Sequence, residues 1–139
     1  MILLMVPWSG FMLGILPPRS ISPSPRDLSH TLRAQITAYT IGPASTGKSP
    51  GMPGYGITSS GVPAVAGVTV AAPSWVPYGT RVHIPGFGRG IVEDRGGAIH
   101  GHHFDICVAS RSAALQWGVQ YHTITLHFPR KDVRVWRGR

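Results

Sequence analysis

An all-β fold, a small closed barrel of about six short strands with one short helix, is what this sequence predicts. Three observations carry the expectation. Glycine (18) and proline (13) are frequent among the 139 residues, while charged residues make up only 13%, a composition rich in turn formers and poor in helix formers. Strand-like segments recur along the chain with Pro and Gly turns between them. A hydrophobic content of 42% excludes wholesale disorder, and the length suits one domain with one core.

Taken in order, residues 1–16, MILLMVPWSGFMLGIL, are apolar and uncharged. The run is shorter than the roughly 20 residues a membrane span needs. It lacks the positive start of an export signal, and Pro7, Gly10 and Gly14 weaken any helix. It reads as a signal-like or anchor segment; a misassigned start codon or a non-exported extension would leave the same pattern. Residues 17–32 read as a Pro/Ser-rich linker, which places the folded domain at 33–129. Strands are expected over 34–41 (AQITAYTI), 64–72 (AVAGVTVAA), 79–86 (GTRVHIPG), 88–96 (GRGIVEDRG), 103–109 (HFDICVA) and 121–128 (YHTITLHF). The one helix is expected over 110–118, with Ser110 as N-cap and Gly118 past its end. Residues 130–139, RKDVRVWRGR, are a basic tail, either a solvated terminus or an arm for a polyanion.

The stretch GPASTGKS, Gly42 to Ser49, fits the phosphate-loop pattern G-x-x-x-x-G-K-[ST]. Its chemistry requires a helix opening at the Lys-Ser, so that the helix N-terminus faces phosphate. Here Pro50, Gly51, Pro53, Gly54 and Gly56 follow instead, and they do not continue a helix. An NTPase is therefore not expected.

The formal net charge is +8, with five acidic residues. Such a balance suits a polyanionic neighbourhood: nucleic acid, anionic lipid or an acidic wall polymer. No recognition helix or stacking motif accompanies the charge, so nucleic acid is not the expected partner. Cys107 is the sole cysteine; it cannot form an internal disulfide and reads as an inert core residue. Trp75, Trp117 and Trp136 are candidates for stacking on sugars, with core packing the default for Trp75 and Trp117.

Three of the five acidic residues, Glu93, Asp94 and Asp105, fall within VEDRGGAIHGHHFDICV, residues 92–108. Asp94 ends one expected strand and Asp105 lies inside the next. Alternation turns Phe104 and Ile106 to the core and leaves Asp105 on the other face with His103 and Cys107. Two carboxylates near a glycine-rich approach suit acid–base work. The spacing equally permits Asp94 to pair with Arg95 or cap the Gly96-Gly97 turn, and Asp105 to face solvent. The HGHH stretch, His100 to His103, offers two ligands at most to one ion, too few for a zinc site. Neither a metal nor a cofactor is expected.

TAYT, STGKSPGMPGYGITSSG, VPYGTRVHIPGFG, VEDRGGAIHGHHFDI and AALQWG occur in that order. Together they resemble the three-aspartate (3D) domain of bacterial cell-wall proteins, related to the catalytic core of membrane-bound lytic transglycosylase A and of stationary-phase survival-type muralytic proteins. The resemblance covers about residues 34–127 and implies a six-stranded double-psi β-barrel. It further implies a peptidoglycan lytic transglycosylase that cleaves the MurNAc–GlcNAc bond to a 1,6-anhydro product, with Asp105 as acid/base and Asp94 as the second aspartate, raising the pKa of Asp105 by like charge. Substrate contacts are implied for Tyr39, Thr58, Gly96 and Gly97, with His100 and His103 binding substrate or tuning the same proton. The chain departs from the pattern at Ala72, where the first aspartate would stand, and at His100, often a lysine. A weakened, glycan-binding or structural barrel is the alternative. The partners implied are peptidoglycan strands, with anionic wall polymers at the basic tail and a membrane only if residues 1–16 remain as an anchor. The location implied is extracytoplasmic, in the cell envelope or secreted.

Overall fold

The computed structural model of the chain describes residues 28–130. The apolar segment 1–16, linker residues 17–27 and tail residues 131–139, with Trp136, lie outside the described residues. Six strands form one closed barrel: β1 (Ser29–Tyr39), β2 (Thr69–Ala71), β3 (Arg81–Ile84), β4 (Gly88–Asp94), β5 (His103–Cys107) and β6 (Gln120–His127). Their order around the barrel is β1-β5-β2-β4-β3-β6. Two pairs are parallel, β1 with β5 and β2 with β4, which requires the chain to cross over between them. The expected six-stranded barrel is the fold observed.

Alternation builds its core. On β1, Leu32, Ala34 and Ile36 point inward; on β3, Val82 and Ile84; on β5, Phe104 and Ile106; on β6, Ile124 and Leu126. Gly90 on β4 has to be glycine, because a Cβ there would lie 2.5 Å from Val70 Cγ2. The side chain thus omitted lets β2 and β4 close on each other.

Several elements differ from those expected. Strand β1 begins at Ser29, inside the stretch read as linker. Residues 29–32 pair with β6 over Ser29↔His127 to Leu32↔Ile124, and burial of Leu32 anchors them. The expected strand over 64–72 shrinks to Thr69–Ala71. Gly67 adopts φ 83°, and the N–H groups of Val68 and Thr69 turn back to the carbonyl of Val65, so the preceding apolar residues form a turn. An additional single helical turn, α1 (Pro43–Thr46), precedes Lys48 and ends on left-handed Gly47. Pro43 suits its first turn and Gly47 its end. Ser49 to Gly56 then run as turns, where a phosphate loop would start its helix.

The second helix, α2 (Arg111–Trp117), forms as expected, with the Ser110 hydroxyl accepting from the Ala113 N–H at 3.1 Å. Trp117 packs partly against the core and donates to the Ile36 carbonyl at 3.0 Å. Trp75, expected in the core, is 43% exposed. Its indole donates to the Gly101 carbonyl at 2.8 Å, and its ring meets Phe104 and His102 edge-on. A polar handle kept at the surface explains that placement. Among the described residues no helix is long and apolar enough to cross a membrane.

Candidate active site

Strand register brings the two aspartates together. Val70 faces Val92, but Ala71 faces Asp94, so the ladder skips Glu93. That bulge re-aims the end of β4. Ala71 also faces Asp105 across β2 and β5, and Asp105 faces Thr37 across β5 and β1. Asp94, Ala71, Asp105 and Thr37 therefore form a row over four adjacent strands. At about 4.8 Å per strand, the backbones of the two aspartates lie roughly 10 Å apart. Between them stands only the methyl group of Ala71, which leaves room above it.

That room is a groove of about 370 Å³, lined by Tyr39, Thr58, Ala71, Asp94, Gly96 and Asp105 among others. Lys48 and Arg95 bring cations to its wall. Lys48 is held by the Gly54 carbonyl at 3.4 Å. The Arg95 guanidinium takes the carbonyls of Val76 at 2.6 Å and of Ala72 at 3.3 Å, and lies 4.1 Å from the Tyr78 ring centre.

The two carboxylates differ in environment. Asp94 Oδ1 accepts from the Ser59 and Arg95 backbone N–H groups, each at 2.9 Å. Its Oδ2 accepts from the Tyr39 hydroxyl at 2.9 Å. Three donors converge on its two oxygens. Asp94 thus both caps the turn after β4 and faces the groove. Burial, with the Asp94 charge behind it, pushes the Tyr39 phenol far above its ordinary range, so it stays a donor. Asp105 accepts one side-chain hydrogen bond, from Thr37 at 2.9 Å. Its carboxyl is raised above the ordinary value of 3.8, chiefly by burial; Thr37 and His103 pull it down, and the Asp94 charge adds a smaller upward push. The like charge of Asp94 acts in the expected direction, and desolvation is the larger cause.

Of the residues expected to contact substrate, Tyr39, Thr58 and Gly96 line the groove. Thr58 is buried, and its hydroxyl donates to the Val62 carbonyl at 2.9 Å, which holds the loop at the groove wall. His100 and His103 do not join them. They line a separate hollow of about 280 Å³ with Arg33, Gln35, His102 and Tyr121. His103 sits two residues before Asp105, a displacement of nearly 7 Å along β5, and its Nε2 lies 2.8 Å from Thr37 Oγ1. In the Gly-Gly turn a Cβ at Gly96 would come 2.8 Å from Ile99 Cγ1, whereas one at Gly97 would meet open space. The close approach is a property of Gly96. Ala72 is fully buried in the core cluster, and the small residue facing the groove is its neighbour Ala71. Cys107 is buried, and that burial pushes its thiol up, an unreactive setting. Among the described residues no three His, Cys, Asp or Glu side chains gather where a metal ion would sit.

Thr37, Ser59 and Ala71 carry the site's geometry without being singled out by sequence reasoning. The available signal for Thr37 was its position two residues before Tyr39, on the same strand face.

Comparison with known proteins agrees with the sequence resemblance. The model of the 3D domain matches residues 68–128. The cell wall-binding protein YocH of Bacillus subtilis (strain 168) is 36% identical over 95 residues, 68% of this chain and 32% of that protein. The putative cell wall shaping protein YabE of the same organism is 32% identical over 98 residues, 70% of this chain and 23% of that protein. The chain therefore spans a third or less of the curated relatives it matches. Among solved structures, MltA from E. coli shares 25% identity over 53% of this chain and 27% of that chain, with a TM-score of 0.43. A second structure of that lytic transglycosylase shares 26% over 52% and 28%, also at 0.43.

Proposed function

From a chain that carries a 3D domain over residues 68–128, we propose an enzyme that cleaves peptidoglycan glycan strands as a lytic transglycosylase. The observation that supports it is the contrast in the groove: one carboxyl that accepts three donors, Asp94, and one half-buried carboxyl with a single side-chain donor and a raised pKa, Asp105. Such a pair divides acid and anion roles between two identical side chains.

In this reading Asp105 starts protonated and gives its proton to the glycosidic oxygen between MurNAc and GlcNAc as the C1–O bond breaks. The C6 hydroxyl of the same MurNAc then bonds to C1, and its proton passes to Asp105. The 1,6-anhydro ring closes, the acid is regenerated and no water enters. One acid/base group suffices, unlike the two carboxyl groups of a hydrolase. Asp94 favours positive charge developing on the sugar and fixes Tyr39 at the groove wall. Tyr39, Thr58 and the Gly96 backbone contact the glycan, and Gly96 lets it approach closely. The protein would act in the cell envelope or outside the cell.

A second reading, a wall-binding barrel without turnover, draws on one relative, a cell wall-binding protein. Mass spectrometry of purified peptidoglycan incubated with the protein separates the readings. Anhydro-muropeptides that disappear with Asp105→Asn support the transglycosylase. Co-sedimentation with wall material and no soluble product supports the binding module. Reducing muramic ends would instead indicate hydrolysis with water.

A further inference from the structure

We propose that Thr37 joins His103 to Asp105 as one proton-sharing unit along the outer face of the barrel, so that Thr37 and His103 are positioning residues for the Asp105 proton. This rests on the reading above only in taking Asp105 as the proton carrier.

Three features carry it. Thr37 faces Asp105 directly in the parallel β1–β5 ladder, and Gln35 faces His103 one step back. The Thr37 hydroxyl lies 2.9 Å from Asp105 Oδ1 and 2.8 Å from His103 Nε2. Asp105 lines the groove, whereas His103 lines the separate hollow beside Arg33 and Tyr121. The chain His103–Thr37–Asp105 therefore runs from one solvent-facing recess to the other.

A threonine hydroxyl has one hydrogen. When that hydrogen goes to ionised Asp105, the oxygen must accept from His103, so Nε2 carries a proton. From this state the chain can reverse. The Nε2 proton moves to Thr37 Oγ1 while the Thr37 proton moves to Asp105 Oδ1. An imidazolium and a carboxylate become a neutral imidazole, protonated on Nδ1, and a carboxylic acid. Both hydrogen bonds survive with their directions exchanged, and no atom or charge is left over. The transglycosylase cycle returns its own proton, so this route does not supply one per turnover. It restores the acid when Asp105 has ionised, including when a glycan covers the groove.

Other groups around Asp105 do not offer that route. From β1, Tyr39 donates to Asp94. From β4, Asp94 already accepts three donors. Arg95, beyond it, binds backbone carbonyls. Cys107, on the same strand, is buried with a raised thiol. From β2 comes only the methyl group of Ala71.

Nuclear magnetic resonance of the full chain, labelled with carbon-13 and nitrogen-15, tests this without requiring turnover. The parent should show His103 protonated on Nε2, and the Asp105 carboxyl carbon should register the His103 titration as a second step. Thr37→Val keeps the shape and removes the hydroxyl. It should raise the Asp105 midpoint, erase the second step and release the His103 tautomer, with amide shifts remote from β1 unchanged. Thr37→Ser should restore all three. His103→Gln, read from the other end, should raise the Asp105 midpoint and remove the second step. An Asp105 titration curve in Thr37→Val or His103→Gln that superimposes on the parent's overturns the proposal, as does a parent His103 bare at Nε2 while Asp105 is ionised. Loss or absence of muralytic activity bears on the proposed function alone.

Discussion

The two ends of the carboxylate row are the same residue in opposite circumstances. Asp94 closes β4 on a bulge, where two backbone N–H groups and a phenol converge on its oxygens. Asp105 lies inside β5 with one hydroxyl partner, and burial raises its pKa. One end of the row gathers donors, and burial pushes the other to shed its charge. The difference teaches that a count of aspartates is a poor guide to what this groove can do. Ala72, where the resemblance leads one to expect a third aspartate, is buried in the core. The contrast that matters lies between the two carboxylates on either side of Ala71.

The largest expected effect falls on the shedding end. Asp105→Asn should lower the release of anhydro-muropeptides by about 10²–10⁴-fold, the usual contribution of a general acid or base. Stability should move the other way. Because the folded-state pKa of Asp105 is raised, its favourable contribution is full below the ordinary value of 3.8 and is lost as pH rises through the folded value. Above that folded value the parent holds a partly buried charge that the amide lacks. Thermal melts should give Asp105→Asn the higher Tm on the alkaline side of the Asp105 titration, with the gap closing toward pH 3. Activity of the parent should fall as pH rises past the same folded value, because the acid must begin protonated. A Tm for Asp105→Asn below that of the parent on the alkaline side would break the comparison.

Asp94→Ala should show the opposite stability sign. It strands the Arg95 and Ser59 N–H groups and the Tyr39 hydroxyl, and hydrogen bonds to a charged group are worth roughly 1.5–3 kcal/mol. A loss of about that size in urea denaturation sharpens the assignment of Asp94 as the donor-bound end of the row.

The turn that follows Asp94 also borders the groove, and its glycines are not equivalent. Gly96→Ala forces a methyl group to 2.8 Å from Ile99 Cγ1, an overpacking that costs about 1–3 kcal/mol. Gly97→Ala meets open space and should stay within about 0.5 kcal/mol of the parent. Denaturation midpoints of the two variants check this directly.

Much of this arrangement was legible in the sequence. Strands β3 to β6, helix α2 and the two aspartates follow from alternation, caps and motif order. What stayed hidden depends on partners distant in the chain. Residues 29–32 look like linker until β6, almost a hundred residues later, pairs with them. Thr37 and Ala71 gain their meaning from register across β1, β5, β2 and β4. The skip at Glu93 is visible only in the ladder. His103 alternates onto the same strand face as Asp105, yet it borders another hollow, because alternation gives a face and not a position along it. Depth of burial, which chiefly raises the Asp105 pKa, has no local sequence signature.

The smallest expected effect tests how the two ends communicate. Tyr39 is the one side chain that both lines the groove and donates to Asp94. Tyr39→Phe keeps the ring and removes one of three donors, which should cost about 1.5 kcal/mol in stability. Asp94 retains its two backbone donors. Its charge is the smallest of the influences on Asp105, so the Asp105 carboxyl titration should hardly move in Tyr39→Phe. Carbon-13 titration of the two carboxyl groups reads both ends in one experiment. A shift confined to Asp94 fits two separately stabilised carboxylates. A shift of Asp105 as large as that of Asp94 would mean that the two share one titration, and the division between a donor-bound end and a proton carrier would fail.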